Sequence, residues 1–297
     1  MEPAAVTGAA PLRALELFSG LGGWRYALGA LGTVVAAYDI SPTANAAYLL
    51  NHGCAPLARE LARVSCGVFQ AHRADTWMLS PPCQPFCRMG KGEGLADRRS
   101  SAFLHLLDVL REAPPEHLVL ENVQGFLGSP AHGLLTATLD GLGLNHLTYQ
   151  LCPSRFGIPN QRPRVFVLAS GRPLRARTVP RIAPGPLAPF LDPVEDPALY
   201  LDQATLDRHG PGLDLTTPDS HRTACFIGGY GQRFVGSGSF LKTPRGIRRF
   251  STAEIARLMG LPAGFRFPPE MGLEQRYRLL GNGLSQPVAR WVLEQLG

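Results

Sequence analysis

The sequence predicts an α/β fold in which helices cover both faces of a mainly parallel sheet. In the first half of the chain, short apolar runs alternate with stretches of helical spacing, which is the pattern of βαβ units. The apolar runs at 14–18, 76–80 and 117–120 lead directly into glycine-rich, proline-rich or acidic sequence. Such residues are expected where parallel strands end, since ligands bind at that edge of an open sheet.

The individual elements follow from residue spacing and from the turn residues between them. We expect strands at residues 14–18, 33–38, 76–80, 117–120 and 164–170. We expect helices from Gly23 to about residue 31 and at residues 44–51, 103–110 and 286–296. Another helix should begin after Ser251, because Ser251 and Glu254 have the spacing of a capping box.

The organisation of the chain changes after residue 170, where proline becomes dense and the periodicity fades. With 297 residues, the chain is long enough for one large domain and a small companion. We predict a flexible tail at residues 1–12, a main domain formed by residues 13–170 and 250–297, and a small irregular domain at residues 171–249.

Charge and cysteine usage restrict the class of protein. The net charge of +6 is compatible with a polyanionic partner, and equally with an arginine-rich surface on an ordinary enzyme. No apolar run reaches the roughly 18 residues of a membrane span, and the first residues lack a basic signal region. The six cysteines form no CxxC pair. We therefore expect a cytoplasmic protein, with a nuclear location also open in a eukaryote, that has reduced thiols and no metal site.

A glycine loop after the first strand has the form of a nucleotide-binding unit. Gly20, Gly22 and Gly23 separate the strand from a helix, and Asp39 ends the second strand 19 positions after Gly20. Glycines let backbone amides approach a ligand, and an acidic residue at that position accepts hydrogen bonds from a ribose. The unit alone fits a dinucleotide, an adenosyl cofactor or a tight turn. It lacks the complete phosphate loop, which suits a cofactor without phosphate.

Cys83 lies in a proline-rich loop that directly follows a predicted buried strand, in the sequence Ser80-Pro81-Pro82-Cys83-Gln84-Pro85. The prolines stiffen the loop, so we expect Cys83 to be held at the ligand-binding edge and not packed in the apolar core. The alternative is a buried structural cysteine, which is the common fate of a free thiol.

Two further segments place charged residues at the same edge. Glu121 follows the apolar run at 117–120, Arg162 precedes the strand at 164–170, and Arg164 is its first residue. The carboxyl group could lie beside the thiol, and the arginines could hold that carboxyl group or a substrate. The alternatives are a helix-capping or solvated glutamate and a solvated basic pair.

Together these motifs resemble the cytosine C5 methyltransferase family over nearly the whole chain, from about residue 13 to 295. The resemblance rests on the order and spacing of the segments Phe18-Ser19-Gly20-Leu21-Gly22-Gly23, Pro81-Pro82-Cys83-Gln84, Glu121-Asn122-Val123, Arg162-x-Arg164 and Gly281-Asn282. It implies a Rossmann-like S-adenosylmethionine-dependent fold, with S-adenosyl-L-methionine as cofactor and S-adenosyl-L-homocysteine as product. The main domain is then catalytic, and residues 171–249 are the target-recognition domain.

The resemblance also implies roles for single residues. The Cys83 thiolate attacks C6 of cytosine, Glu121 bonds N3 and the exocyclic amine, and Arg162 and Arg164 support Glu121 and the base. The target base must leave its stack to reach Cys83. The implied cofactor residues are Phe18, Ser19, Gly20, Leu21, Gly22, Gly23, Asp39, Ile40, Pro81 and Asn282. The implied substrate contacts are Gln84, Pro85, Cys225, Phe226, Tyr230, Arg245 and Arg248.

The segment from Cys225 to Gly231 bears on the choice between RNA and DNA. It is similar to the Cys-Phe-Thr signature of the tRNA methyltransferases called type-two DNA methyltransferase homologues, with Ile227 in place of threonine. This resemblance implies methylation of cytosine-38 in the anticodon loop of tRNA-Asp by a monomer. A DNA cytosine C5 methyltransferase, of restriction–modification or epigenetic type, and a catalytically silent nucleic-acid-binding relative are the alternatives.

Overall fold

The computed structural model describes residues 10–82 and 101–296. Within them, a six-stranded sheet has the strand order β2-β1-β3-β4-β6-β5. The strands are β1 (Leu12–Leu17), β2 (Gly32–Tyr38), β3 (Thr76–Leu79), β4 (His117–Val123), β5 (Asn145–Leu151) and β6 (Arg164–Ser170). Five of them correspond to the predicted strands. The edge strand β5 was not predicted, because its half-exposed, polar-rich sequence contains no apolar run.

Strand direction decides which residues meet at each edge of this sheet. The β1–β2, β1–β3 and β3–β4 pairs are parallel, as predicted, whereas β6 is antiparallel to both β4 and β5. Arg164 at the start of β6 is therefore paired with Val123 at the end of β4. Because β6 runs in the reverse direction, Arg164 at its start lies at the edge where the parallel strands end.

Helices cover both faces of the sheet, as the α/β pattern predicts. They are α1 (Gly23–Leu28), α2 (Pro42–His52), α3 (Cys66–Ala71), α4 (Ser101–Glu112), α5 (Pro130–Gly141), α6 (Gln203–His209), α7 (Thr252–Leu258), α8 (Leu273–Gly281) and α9 (Gln286–Leu293). On one face, Leu106 and Leu135 of α4 and α5 belong to a buried cluster. On the other face, Trp24 of α1 and Val288 of α9 belong to a second cluster.

A small three-stranded sheet follows β6 in the part of the chain that was predicted to be irregular. It consists of β7 (Asp214–Thr216), β8 (Ser239–Thr243) and β9 (Gly246–Arg249). Its buried side chains, such as Phe240, belong to a third cluster that also contains Leu258 of α7 and Leu280 of α8. This core therefore continues from residues 171–249 into the helices that follow, and the domain boundaries at 171 and 249 stay a prediction.

The start of the chain differs from the prediction at one residue. Leu12, which we assigned to a flexible tail, begins β1 and is paired with Gly32. Residues 1–9 of the tail lie outside the described residues. Throughout residues 10–82 and 101–296, no helix is both long enough and apolar enough to cross a membrane.

Candidate active site

The loop between β1 and α1 has a backbone that few sequences allow. Phe18, Gly20 and Gly22 have φ values of 58°, 53° and 79°, all in the left-handed region. A phenylalanine in that region costs about 1–3 kcal/mol, a strain that is concentrated at functional sites. At Gly22 a Cβ would lie 2.2 Å from the Nε2 atom of His52, so glycine is required there, whereas a Cβ on Gly20 would meet open space.

Asp39 fixes this loop against the end of β2. Its Oδ2 atom accepts a 2.8 Å hydrogen bond from the amide of Gly20, and its Oδ1 atom accepts one of 2.8 Å from the amide of Ser41. Each oxygen keeps a lone pair for a further donor, so the predicted role as a ribose acceptor stays open. The neighbouring Ile40 exposes 66% of its surface at the same place, which leaves an apolar side chain free to pack on a ligand.

The remaining predicted cofactor residues divide between the edge and the core. The Ser19 hydroxyl is buried and has no hydrogen-bond partner among the described residues, whereas Leu21 packs into the third core cluster. Gly23 lies under Leu284, because a Cβ there would be 3.1 Å from the Leu284 Cδ1 atom. The segment that begins at the exposed Asn282 therefore returns to the glycine loop. An unpaired buried hydroxyl, open space at Gly20 and an exposed isoleucine fit a ligand with polar and apolar parts, such as an adenosyl amino acid.

Glu121 is the central charged group of the site. It lies inside β4 and is 8% exposed, and its Oε1 atom is 3.2 Å from the Nε atom of Arg164. The Ser80 hydroxyl also bonds to it, and the indole of Trp24 donates a 2.9 Å hydrogen bond to Ser80. Burial raises the pKa of Glu121, and Arg164 and Arg162 only partly offset that effect. Burial thus shifts the balance of this carboxyl group toward its protonated form.

Arg162 and Arg164 make different contacts in the site. Arg164 makes the direct ion pair with Glu121. Arg162, which is 3% exposed, instead donates hydrogen bonds of 3.0, 2.9 and 2.7 Å to the carbonyl oxygens of Phe226, Gly281 and Gly283. It thereby joins the loop before β6 to two distant segments, and it acts on Glu121 through charge rather than contact.

Cys225 lies against the same two arginines. Its Sγ atom accepts contacts of 3.4 Å from Arg162 and 3.9 Å from Arg164. Burial alone would raise the pKa of the Cys225 thiol, but the two guanidinium groups outweigh that effect and hold the pKa below its ordinary value. A thiol whose pKa is lowered by two guanidinium groups therefore lies next to the Glu121–Arg164 pair.

Three predicted substrate contacts need correction, because their side chains are inside the protein. Phe226, Tyr230 and Arg248 are 2%, 0% and 2% exposed. The hydroxyl of Tyr230 donates to the carbonyl of Ser239 and accepts from the amide of Phe250. Arg248 makes two hydrogen bonds of 2.8 and 2.7 Å to the buried carboxylate of Glu254. These groups hold the small sheet together and have no surface for a nucleic acid.

The other predicted substrate residues are either exposed or outside the described residues. The Arg245 side chain is 73% exposed, which leaves its predicted contact open. Cys83, Gln84 and Pro85 lie outside the described residues. The chain that leads to them departs next to Glu121, because Leu79 at the end of β3 is paired with Leu120. Pro81 is buried there, and its carbonyl accepts a 3.2 Å hydrogen bond from Asn122.

The sequence analysis missed Glu16, which lies fully buried beneath the glycine loop. Its Oε1 atom accepts hydrogen bonds of 2.9 and 3.1 Å from the amides of Trp24 and Arg25 in the first turn of α1, and Tyr48 donates to its Oε2 atom at 2.9 Å. Burial raises its pKa to about 7. A glutamate in the middle of the apolar strand sequence LRALEL was the signal that could have identified it.

In the part of the chain that the structure describes, no group of three or more His, Cys, Asp or Glu side chains could hold a metal ion. The described chemistry of the edge therefore consists of a buried carboxyl group, two arginines, a thiol and a strained glycine loop.

Comparison with known proteins assigns this arrangement to a family. A family described as C-5 cytosine-specific DNA methylase matches residues 12–197 and 212–297. The chain is 33% identical to the tRNA (cytosine(38)-C(5))-methyltransferase of Schizosaccharomyces pombe, over 96% of both chains. It is 29% identical to the human tRNA (cytosine(38)-C(5))-methyltransferase, over 96% of this chain and 99% of that protein.

A solved structure leads to the same assignment. The crystal structure of the S. pombe Dnmt2 methyltransferase superimposes with a TM-score of 0.87 at 32% identity, over 96% of this chain and 98% of that one. The Rossmann-like methyltransferase fold is thus confirmed. Together with the Glu121–Arg164 pair at the carboxyl edge of the sheet, these matches show that the chain belongs to the C-5 cytosine-specific methylase family and is a cytosine C5 methyltransferase.

Proposed function

We propose that this enzyme transfers a methyl group from S-adenosyl-L-methionine to C5 of cytosine-38 in the anticodon loop of tRNA-Asp. The observation that carries the proposal is the position of Cys225, whose thiol contacts Arg162 and Arg164 beside Glu121. The segment that resembles the tRNA methyltransferase signature thus contributes to the catalytic edge. The activity named for the S. pombe and human relatives supports the same substrate.

The chemistry of the substrate also favours an RNA loop. A base can react only after it leaves its stack, and this costs least for the unpaired bases of a loop. Duplex DNA remains the second candidate substrate, because the matching family is described as C-5 cytosine-specific DNA methylase. A catalytically silent nucleic-acid-binding relative is disfavoured, because Cys83, Glu121 and both arginines of the family pattern are present.

The cofactor residues that we propose are the loop from Phe18 to Gly23, the carboxylate of Asp39, the side chain of Ile40, and Pro81 and Asn282. Asp39 would accept hydrogen bonds from the ribose, and Ile40 would pack on the adenine. When bound, S-adenosyl-L-methionine supplies an electrophilic methyl group on a sulfonium. The strained backbone at Phe18 and the open space at Gly20 support this location.

The residues of the chain activate the base. The Cys83 thiolate forms a bond to C6, and the electron pair of the C5–C6 double bond moves into the ring, where Glu121 stabilises it by giving a proton to N3. This makes C5 nucleophilic. After C5 is methylated, a water molecule removes the C5 proton, N3 returns its proton to Glu121, and the double bond re-forms as the bond between Cys83 and C6 breaks. Arg164 orients Glu121 throughout.

A methyl-transfer assay with labelled S-adenosyl-L-methionine tests the proposal. We expect labelling of a tRNA-Asp transcript, and none of a matched transcript in which uridine replaces cytosine-38. Labelling of duplex DNA without labelling of the tRNA would overturn the RNA assignment in favour of the second candidate. The Cys83→Ala variant should lose turnover while still binding the tRNA, and an active variant would refute the assigned nucleophile.

We also propose that the enzyme acts as a monomer. Gel filtration of the active enzyme would test this, and activity that appears only in a dimer fraction would contradict it.

A further inference from the structure

Residues 171–182 form an extended segment along the outside of the main sheet. The segment begins where β6 ends, with the amide of Gly171 bonded to the carbonyl of Glu116 at 2.9 Å. It ends at the opposite edge, where the amide of Ile182 donates to the carbonyl of Arg155 at 2.9 Å. Between these points, the amide of Arg177 donates to the hydroxyl of Tyr149 in β5 at 3.1 Å. The segment therefore passes beside the edge strand β5 from one edge of the sheet to the other.

Apolar contacts hold this segment in place. Leu174 and Val179 are half-buried and pack against the same core cluster as Trp291 of α9. The residues between and beyond them, Arg175, Arg177 and Arg181, are exposed. Leu174 and Val179 thus anchor the backbone, while the three arginine side chains between and beyond them are exposed to solvent.

We call Arg175, Arg177 and Arg181 the arginine strip. In the described ranges of the chain, none of their side chains has a hydrogen-bond or ion-pair partner, whereas the nearby Arg172 is paired with Glu116. The strip thus combines three uncompensated positive charges with an ordered backbone. An ordered row of free guanidinium groups is suited to a row of anionic groups on a partner.

The Arg181 end of the strip lies near a segment that lines the candidate active site. Arg181 precedes Ile182, whose amide donates a hydrogen bond to the carbonyl of Arg155. Two residues before Arg155, Pro153 lines a small cavity together with Glu121 and Arg164. From there the strip follows β5, whose seven residues extend over roughly 20 Å. A polymer with one base in the site could therefore continue along the strip over several nucleotides.

We propose that the arginine strip binds the phosphate backbone of the RNA substrate outside the catalytic cleft. The proposal rests on the proposed RNA substrate, and it adds a second contact surface that is separate from the residues around Cys225. A phosphate backbone is favoured over an acidic protein because the strip is continuous with a site that accepts a base. The strip carries no sequence information and contributes affinity and orientation.

The test is the salt dependence of binding by the variant Arg175→Gln, Arg177→Gln, Arg181→Gln. Binding of a tRNA-Asp transcript is measured by fluorescence anisotropy between about 50 and 200 mM salt. Loss of three phosphate contacts should make the negative slope of log association constant against log salt shallower by about 2. It should also weaken binding by about tenfold or more. The KM for tRNA should rise while kcat at saturation is retained, because the strip does not touch the reacting atoms.

The control removes the same charge elsewhere, with the variant Arg13→Gln, Arg73→Gln, Arg111→Gln. These arginines are exposed and lie on β1, after α3 and on α4, outside residues 171–182. Their replacement should leave the slope unchanged. Equal slopes for the two triple variants, or an unchanged slope in the strip variant, would overturn the proposal. Thermal unfolding of both variants checks that they fold.

The two proposals fail in different ways. If the wild-type enzyme methylates cytosine-38 and the strip variant binds tRNA normally, the proposed function stands and the strip proposal is refuted. If the wild type methylates only duplex DNA, the proposed function fails. A slope change that is seen with duplex DNA but not with tRNA would then refute the RNA assignment of the strip.

Discussion

At the residue scale, the behaviour of Glu121 depends on two opposing influences. Burial in the sheet favours the protonated carboxyl group, whereas Arg164 at 3.2 Å favours the carboxylate. Burial is the larger effect, so the pKa is raised above its ordinary value. A glutamic acid whose pKa is raised by burial, and that an ion pair keeps in position, is suited to give a proton to a ring nitrogen.

The Glu121→Gln variant tests this role. An amide cannot transfer the proton to N3, so we expect kcat to fall by about 100-fold or more. Binding of tRNA should change little, because most of the affinity for a nucleic acid comes from its phosphates. Single-turnover methylation measures the effect, with the exposed Glu60→Gln variant as control. A kcat within about threefold of wild type would rule out Glu121 as the proton donor.

At the element scale, α1 and the loop before it rest on Glu16. Its carboxyl group caps the first turn of the helix through two amides, and it lies beside Tyr48 and close to Arg25. The cap fixes the start of the helix that follows the glycine loop. This buried carboxyl group links the stability of the cofactor loop to pH.

The pKa of Glu16 predicts a specific pH dependence of stability. Because burial raises the pKa from 4.5 to about 7, the folded protein binds this proton more tightly than the unfolded chain. The free energy of unfolding should therefore fall as pH rises from about 5 to 8, by up to about 3 kcal/mol from this group. Denaturant unfolding at both pH values should show that Glu16→Gln loses this component. An identical pH dependence in wild type and variant would contradict the prediction.

The end of α8 depends on a close backbone contact at Gly281. A Cβ there would lie 2.2 Å from the amide nitrogen of Gly228 and from the carbonyl carbon of Ile227. Gly281→Ala should therefore destabilise the protein by about 1–3 kcal/mol and disturb the segment that contains Cys225. In contrast, Gly133→Ala in α5 meets no atom within 4 Å and should be neutral or stabilising. Thermal unfolding compares the two, and equal midpoints would refute the packing argument.

At the scale of the whole molecule, a buried ion pair connects the small sheet to the helices that follow it. Arg248 of β9 and Glu254 of α7 are 2% and 0% exposed, and Glu254 also accepts hydrogen bonds from the amides of Asp192 and Ser251. Removal of either partner would leave a buried charge without compensation. The pair therefore connects β9 to α7 inside the protein.

The Arg248→Ala variant separates a structural role from substrate binding. It should lose about 3–5 kcal/mol of unfolding free energy, because Glu254 would stay buried without its partner. At a temperature where the variant is folded, the salt dependence of tRNA binding should match that of the wild type. The exposed Arg245→Ala variant provides the comparison, with unchanged stability. A lower salt slope for Arg248→Ala would show that this residue does contact phosphate.

The sequence by itself determined the chemistry of the protein. The glycine loop, Glu121 and the arginines of the 162–164 segment depend on residue type and on position relative to an apolar run, and such local patterns are readable without a fold. The alternation of strands and helices likewise predicted the mainly parallel sheet. For Cys83 the assignment still rests on sequence, since that residue lies outside the described ranges.

Only the tertiary structure decided direction and burial. The antiparallel course of β6 brings Arg164 to Glu121, and no local pattern distinguishes a parallel from an antiparallel strand. Tyr230 and Arg248 look like surface residues of a basic, glycine-rich segment, yet they lie in the core. Their burial depends on segments distant in sequence, α7 and α8, which pack against them. The physical reason is that burial is a property of long-range packing, whereas chemical identity belongs to each residue alone.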